Sequence, residues 1–236
     1  MRILGFDSCG KTASVAVYDG KVAGEIYIDT EQTHSMTLLP SAEWLLSNLG
    51  LKISDMDYIA ATIGPGSFTG VRIGMAAVKG MAAGARLNCI GVSSLYAAAY
   101  ALRDTDAFVC AVMDARCAQV YNANFRVNNG ILERVCEDRA IAISELMEEI
   151  SCENNILFVG DGAELCYEKF TEKGVRCAIG NRGIRGVTAA NVVSAAAEMT
   201  DSAVTPESFA INYIRVSQAE RELKARTLKK EQEEKI

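Results

Sequence analysis

The chain of 236 residues has one histidine, one tryptophan and three prolines. A single histidine, His34, excludes a metal centre built on two histidines of one chain, such as H-E-x-x-H. Any Ser-His-Asp or Cys-His catalyst would have to use His34 as its base. Its setting, Thr33-His34-Ser35 ahead of a leucine-rich helix, reads instead as a polar residue at a helix entrance. No apolar run reaches ~18 residues, so no membrane span is expected. The N-terminus leads into a short strand, with no long apolar signal core and no cleavage site. No cluster of Lys and Arg precedes residue 221 and the net charge is −6, which argues against a stand-alone grip on a polyanion. The eight cysteines include no C-x-x-C pair. They sit mostly in apolar runs of a long chain and read as free, largely buried thiols, with disulfides the competing reading. A reducing, cytoplasmic location is expected.

Half of the residues are hydrophobic and 23% are charged, the proportions of a globular chain. Residues 2–7 read as a buried strand, Ser8-Cys9-Gly10-Lys11 as a polar turn, and Ala13, Val15 and Val17 as the alternating positions of a second strand. Asp19-Gly20 signals a hairpin into a third strand over 21–29. An amphipathic helix over 35–49 follows, its apolar face carrying Met36, Leu38, Leu39, Trp44, Leu45, Leu46 and Leu49. Then come a strand over 57–63, a helix over 68–85, a strand over 88–92 and a helix over 93–103. The pattern recurs: a strand ending at Asp114, a second strand over 118–125, the hairpin signal Asn129-Gly130, and a third strand over 131–137. A helix near 144–151, a strand over 155–160, a helix after Gly160-Asp161-Gly162 and a helix capped by Thr188 complete it. The expected architecture is α/β: one unit of three-stranded meander plus helices used twice, the second copy reduced. The expected domains are 1–103 and 104–205, with 206–236 packing back and ending in a charged tail.

Residues 5–12, Gly-Phe-Asp-Ser-Cys-Gly-Lys-Thr, match the P-loop pattern G-x-x-x-x-G-K-[ST]. A P-loop needs a helix after its Lys-Thr, so that helix N–H groups meet the phosphate. Here period-two residues follow and end in a hairpin turn. The competing reading is a β-hairpin whose turn, Asp7 with Ser8, Cys9, Gly10 and Lys11, faces a phosphate, as in actin and sugar kinases. A plain hairpin without ligand is the third.

The most informative stretch is Ile63-Gly64-Pro65-Gly66-Ser67-Phe68-Thr69-Gly70-Val71-Arg72-Ile73-Gly74. Its glycines and proline set a tight strand-to-helix turn, and Ser67 or Thr69 can cap the helix. Gly70, Gly74, Ala77, Gly80, Ala83 and Gly84 then keep one helical face small. Either the chain's own elements or a helix of another subunit could approach that face, and spacing alone does not choose.

With Ile90-Gly91-Val92-Ser93-Ser94-Leu95 downstream, this stretch resembles the bacterial TsaB (YeaZ) family. Asp114-Ala115-Arg116 before Val120-Tyr121, and Tyr213-Ile214-Arg215 with Ser217-Gln218-Ala219-Glu220-Arg221, are similar to further parts of its pattern. The resemblance implies the two-domain actin-like, sugar-kinase-like (ASKHA) fold. It implies a subunit that is not an enzyme by itself and has no cofactor of its own. Such a subunit pairs with the catalytic paralogue TsaD and works with the ATPase TsaE. The complex transfers threonylcarbamoyl to N6 of the adenosine beside the anticodon of ANN-reading tRNAs, and this subunit meets tRNA only through the complex. TsaD carries a metal-holding H-x-E-x-H; alignment on Gly91-Val92 puts Ser94, Tyr96 and Ala98 there, so no metal site is implied. The helices over 35–49 and 68–85 would form the pairing surface, for a homodimer when alone as for the heterodimer. Met36, Leu39, Val71, Met75 and Val78 are the residues expected to bury there, in an interface of ~800 Å² per partner. The basic residues Arg221, Lys224, Arg226, Lys229 and Lys230 read as a solvated helical tail. The rival functions are an ATP-dependent kinase or phosphotransferase of the same fold, a P-loop NTPase using residues 5–12, and a peptidase. The kinase would use Asp7 and the turn at residues 8–11, with Gly160-Asp161-Gly162 as its adenosine-side loop.

Overall fold

The structure is a computed structural model that describes residues 1–30, 32–180 and 186–215. The basic residues of the tail and the stretch 217–221 lie outside the described residues.

The first half builds one sheet. β1 (Arg2–Asp7), β2 (Ala13–Asp19) and β3 (Val22–Ile28) form an antiparallel meander. α1 (His34–Asn48) leads to β4 (Tyr58–Thr62), α2 (Phe68–Ala85) to β5 (Asn88–Val92), and α3 (Ser94–Tyr100) follows. β4 pairs parallel to β1 and β5 parallel to β4, giving the order β3-β2-β1-β4-β5. The second half contains β6 (Ala107–Asp114), β7 (Gln119–Asn128), β8 (Ile131–Arg134), β9 (Arg139–Ala142), α4 (Ile143–Ile150), β10 (Ile156–Val159), α5 (Ala163–Glu172), β11 (Cys177–Ile179) and α6 (Ala189–Ala197). Its sheet runs β8-β7-β6-β10-β11, the same order with the same parallel and antiparallel pairings. The chain is thus a two-sheet α/β protein of the actin-like, ASKHA type.

Two strands were not expected. β7 is ten residues long, and β8 covers only its Phe125–Asn128 end. The chain breaks off at Asn124, whose carbonyl accepts from the Val135 and Cys136 N–H groups and whose N–H meets the Cys136 sulfur. It then returns as β9 against Gln119 to Asn122. The predicted strand over 131–137 is therefore cut short to β8, and β9 lies beyond its end. β11 has three residues and no buried alternation to betray it.

Each sheet is covered on both faces. α1 and α2 pack Leu38, Leu45, Met75 and Val78 onto Leu4, Phe6, Val15 and Ile59. α4 and α5 pack Leu146, Ile150, Cys166 and Phe170 onto Phe108, Cys110 and Phe158. The two remaining helices cross over. α3, from the first half, lies against β6 and β7, while α6, from the second half, lies across the first sheet. Gly5 in β1 permits this approach, since a Cβ there would sit 2.2 Å from Val193 Cγ1. At the crossing the Ser93 hydroxyl donates to Asp138 at 2.5 Å, and Arg134 pairs with the same carboxylate at 2.7 Å.

The expected pairing residues divide. Val71, Met75 and Val78 are buried inside the chain, against its own sheet, and are corrected to core residues. Their spacing places them on the inward stripe of α2, where β4 and β5 already cover them. On α1, Leu38, Leu45 and Leu46 are buried, whereas Met36, Leu39 and Trp44 of the predicted apolar face point outward.

Candidate functional site

The turn between β1 and β2 is held from below by the stretch that leads into α2. Ser67 N–H donates to the Cys9 carbonyl at 2.7 Å, and the Ser8 hydroxyl donates to the Gly70 carbonyl at 2.9 Å. The His34 ring, through an Nε2–H, donates to the Gly10 carbonyl at 3.0 Å. Thus His34 ties the start of α1 to this turn. The glycines of the stretch make room for backbone. A Cβ on Gly66 would lie 2.3 Å from the Cys9 carbonyl oxygen, one on Gly70 2.1 Å from that of Ser8, and one on Gly74 2.3 Å from Ser8 Oγ. Gly66 also has a φ of 157°, in the region that favours glycine. Ser67 caps α2 by accepting from Gly70 N–H.

The P-loop alternative fails on this geometry. After Thr12 the chain enters β2, which pairs antiparallel to β1 from Ser14 opposite Asp7. Lys11-Thr12 therefore opens a strand and not a helix, and the Cys9 N–H is taken by Asp7 Oδ1 at 3.2 Å.

Asp7 is buried and accepts on one oxygen only, from Cys9 N–H and from the Thr62 hydroxyl at 2.8 Å. Its Oδ2 and the Ser94 hydroxyl are without a hydrogen-bonding partner among the described residues. Burial pushes the Asp7 carboxyl above its usual range, against its hydrogen bonds and the nearby His34. The adjoining Cys9 thiol is pushed well up, first by burial and then by the Asp7 charge, so it is no thiolate nucleophile.

The corresponding turn of the second half lies between β6 and β7. Arg116, Cys117 and Ala118 have φ of 67°, 54° and 55°. Arg116 N–H and guanidinium both meet Asp114, at 2.8 and 3.5 Å. Asp161 accepts from Asp114 N–H at 3.0 Å, and burial raises its carboxyl. The glycines of Gly160-Asp161-Gly162 press on β6, with a Cβ on Gly160 only 2.1 Å from the Val112 carbonyl oxygen. They shape the end of a strand rather than an open loop. The three positions aligned with a metal-binding helix, Ser94, Tyr96 and Ala98, lie on α3 at the crossing, with Ser94 and Ala98 fully buried. Among the described residues no three His, Cys, Asp or Glu side chains are placed to hold a metal ion.

Two signature residues far apart in sequence meet at the surface. The Arg72 guanidinium stacks 3.9 Å above the Phe68 ring, and its Nε donates to the Tyr213 hydroxyl at 2.9 Å. Thr69, beside them in the first turn of α2, is exposed.

The outer face of α1 and α2 is the other distinctive feature. Met36 is 65% exposed, Leu39 46% and Trp44 60%. Of these three, Leu39 borders an open groove of about 760 Å³ between the helices, together with Leu46, Ile53 and Met81, while Met36 and Trp44 lie outside its lining. Gly80 and Gly84 line it, and a Cβ on either would meet nothing within 4 Å. The small stripe of α2 is therefore split: Gly70 and Gly74 serve the chain's own turn, while Gly80 and Gly84 face out. The sequence places Trp44 on the apolar face of α1 but not among the pairing residues, and it leaves the small stripe open between the chain's own elements and another subunit.

Comparison with known proteins gives concordant matches. The family model described as TsaD, tRNA N6-adenosine threonylcarbamoyltransferase, matches residues 24–233. The tRNA threonylcarbamoyladenosine biosynthesis protein TsaB of Bacillus subtilis is 29% identical over 191 residues, covering 80% of this chain and 81% of that protein. The protein of the same description from Haemophilus influenzae is 33% identical over 189 residues, covering 73% and 77%. Among solved structures, a Pseudomonas aeruginosa protein described as similar to peptidase YEAZ superposes with a TM-score of 0.77 at 26% identity, over 91% of this chain and 99% of that one.

Proposed function

The chain belongs to the TsaB (YeaZ) family of tRNA threonylcarbamoyladenosine biosynthesis proteins, and from that premise we propose that it is the subunit that pairs with the threonylcarbamoyltransferase TsaD. In this role it is a scaffold without chemistry of its own. It works in the cytoplasm with TsaD and the ATPase TsaE, forms a homodimer when alone, and meets tRNA through the complex. Residues 1–103 and 104–205 act as its two domains, with the C-terminal segment packing back.

The observation that carries this reading is the outer face of α1 and α2. α1 leaves Met36, Leu39 and Trp44 uncovered, and Leu39 borders an open, mostly apolar groove against α2. Gly80 and Gly84 let a helix backbone come close there, and Trp44 supplies the large anchor side chain typical of a binding hot spot. The scaffold role is supported by what the residues of the β1–β2 turn do. Asp7 is buried with its carboxyl raised, three turn carbonyls are bonded or abutted by the stretch before α2 and by His34, and Cys9 is protonated.

The test replaces Leu39 and Gly84 together by Glu. The variant should keep its fold and melting temperature, lose co-elution with TsaD, and support no threonylcarbamoyladenosine formation in the reconstituted system. Unchanged co-elution with a folded variant would overturn the proposal.

A further inference from the structure

We propose that Arg215 is a latch that ties the entry into α2, in the first half, to the turn before β7, in the second. Residues 204–215 form a strap along the first half. Val204 pairs with Cys89 through two backbone hydrogen bonds of 2.8 and 2.9 Å, and Phe209 is buried in the first-half core. Asn212 N–H donates to the Ile63 carbonyl at 2.8 Å, and Tyr213 stacks on Phe68 with ring centroids 5.0 Å apart while meeting Arg72. These contacts all belong to β5 or to the entry into α2. Two residues later the strap has changed sides. Arg215 donates from Nη1 to the Ala115 carbonyl at 3.2 Å and from Nη2 to Gln119 Oε1, and its guanidinium lies 5.7 Å from the Tyr121 ring centroid.

The partners Ala115, Gln119 and Tyr121 belong to β7 and the turn before it, in the other half. A small cavity of about 30 Å³, the room of a single water molecule, lies beneath the strap between residues 64–68 and Tyr121. The strap is thus fixed to the first half while the Arg215 side chain hydrogen-bonds to the second. The planar fork of a guanidinium suits this duty, because it holds two acceptors at fixed angles and keeps its charge at any working pH. The halves also meet where α3 lies against β6 and β7 and where Ser93 bonds Asp138. A shift of the Phe68–Arg72–Tyr213 stack at the start of α2 would thus be passed by Arg215 to residues 115–119. The device depends on the fold and not on the proposed function.

Amide hydrogen exchange of the full chain tests it, comparing the native sequence with Arg215→Ala and Arg215→Lys. Losing a charge-assisted hydrogen bond should speed exchange about tenfold or more on both sides, residues 63–68 and 115–121, while β1 and β6 keep their protection. Arg215→Lys should fall between, since it keeps the charge and loses the fork. Faster exchange at 115–121 alone, or at neither side, would overturn the latch. Should Arg215→Ala fail to fold, Gln119→Ala removes one acceptor only. It must then raise exchange on both sides to a smaller degree, and a rise on one side or none would equally overturn the proposal.

Discussion

Replacing glycine by alanine along α2 separates the two halves of its small stripe, because the expected sign changes between them. An interior helical glycine costs ~1 kcal/mol relative to alanine. At Gly80 and Gly84 the added methyl enters open space, so the full helix gain should appear at Gly80 and part of it at Gly84, which lies in the last turn. The double variant Gly80→Ala/Gly84→Ala should gain about 1–2 kcal/mol, which for a chain of this size raises the melting temperature by roughly 2–8 °C. At Gly70 the same methyl lies 2.1 Å from the Ser8 carbonyl oxygen, a backbone atom that cannot rotate away. Overpacking there costs ~1–3 kcal/mol and outweighs the helix gain, so Gly70→Ala should melt lower. The assay is thermal unfolding of the separate chain, followed by titration with TsaD. The account expects the double variant to be more stable and yet to bind TsaD less tightly, since the methyls hold the partner backbone off. A Gly70→Ala variant as stable as the native chain, or a stabilised double variant with unchanged affinity, would refute the reasoning.

Asp7→Asn keeps the acceptor used by Cys9 N–H and Thr62 while removing a buried charge. Because burial raises the folded carboxyl, the native chain loses stability as pH climbs above the ordinary carboxylate value of about 4, and the asparagine variant does not. The melting-temperature gap in favour of Asp7→Asn should widen as pH rises above about 4 until the folded carboxyl has ionised; a gap independent of pH would contradict this. Thiol titration of the folded chain should show Cys117 and Cys152 reacting quickly, with Cys9, Cys89, Cys110 and Cys166 silent until unfolding. Asp138→Ala removes the partner of both Ser93 and Arg134 at the helix crossing, and a loss of ~2–3 kcal/mol should be read by denaturant unfolding.

Much of the frame was legible because its signals are local. Gly64-Pro65-Gly66 ahead of an uninterrupted helical run marks α2 from Phe68 to Ala85, and Asp19-Gly20 and Asn129-Gly130 mark the two hairpins. The repetition of strand, Asp and small polar turn shows the duplication. What stayed hidden is non-local. No pattern in α3 or α6 says which sheet will receive it, although both are apolar nearly all round, which is the signature of a helix buried on every side. The face of α2 was misassigned for a related reason. Val71, Met75 and Val78 are its large apolar residues, yet they are buried in the chain together with Gly70 and Gly74, and Gly80 and Gly84 are left facing out. The contact of Tyr213 with Arg72 joins residues that only the folded chain brings together.

The central claim is that α1 and α2 carry the surface that TsaD grips. The direct measurement is amide and side-chain protection of the chain before and after mixing with TsaD, by hydrogen exchange together with carboxyl or indole footprinting. The account predicts protection concentrated on residues 36–47 and 76–85, with Trp44 withdrawn from solvent. Protection confined to the second half, with α1, α2 and Trp44 unchanged, would contradict it.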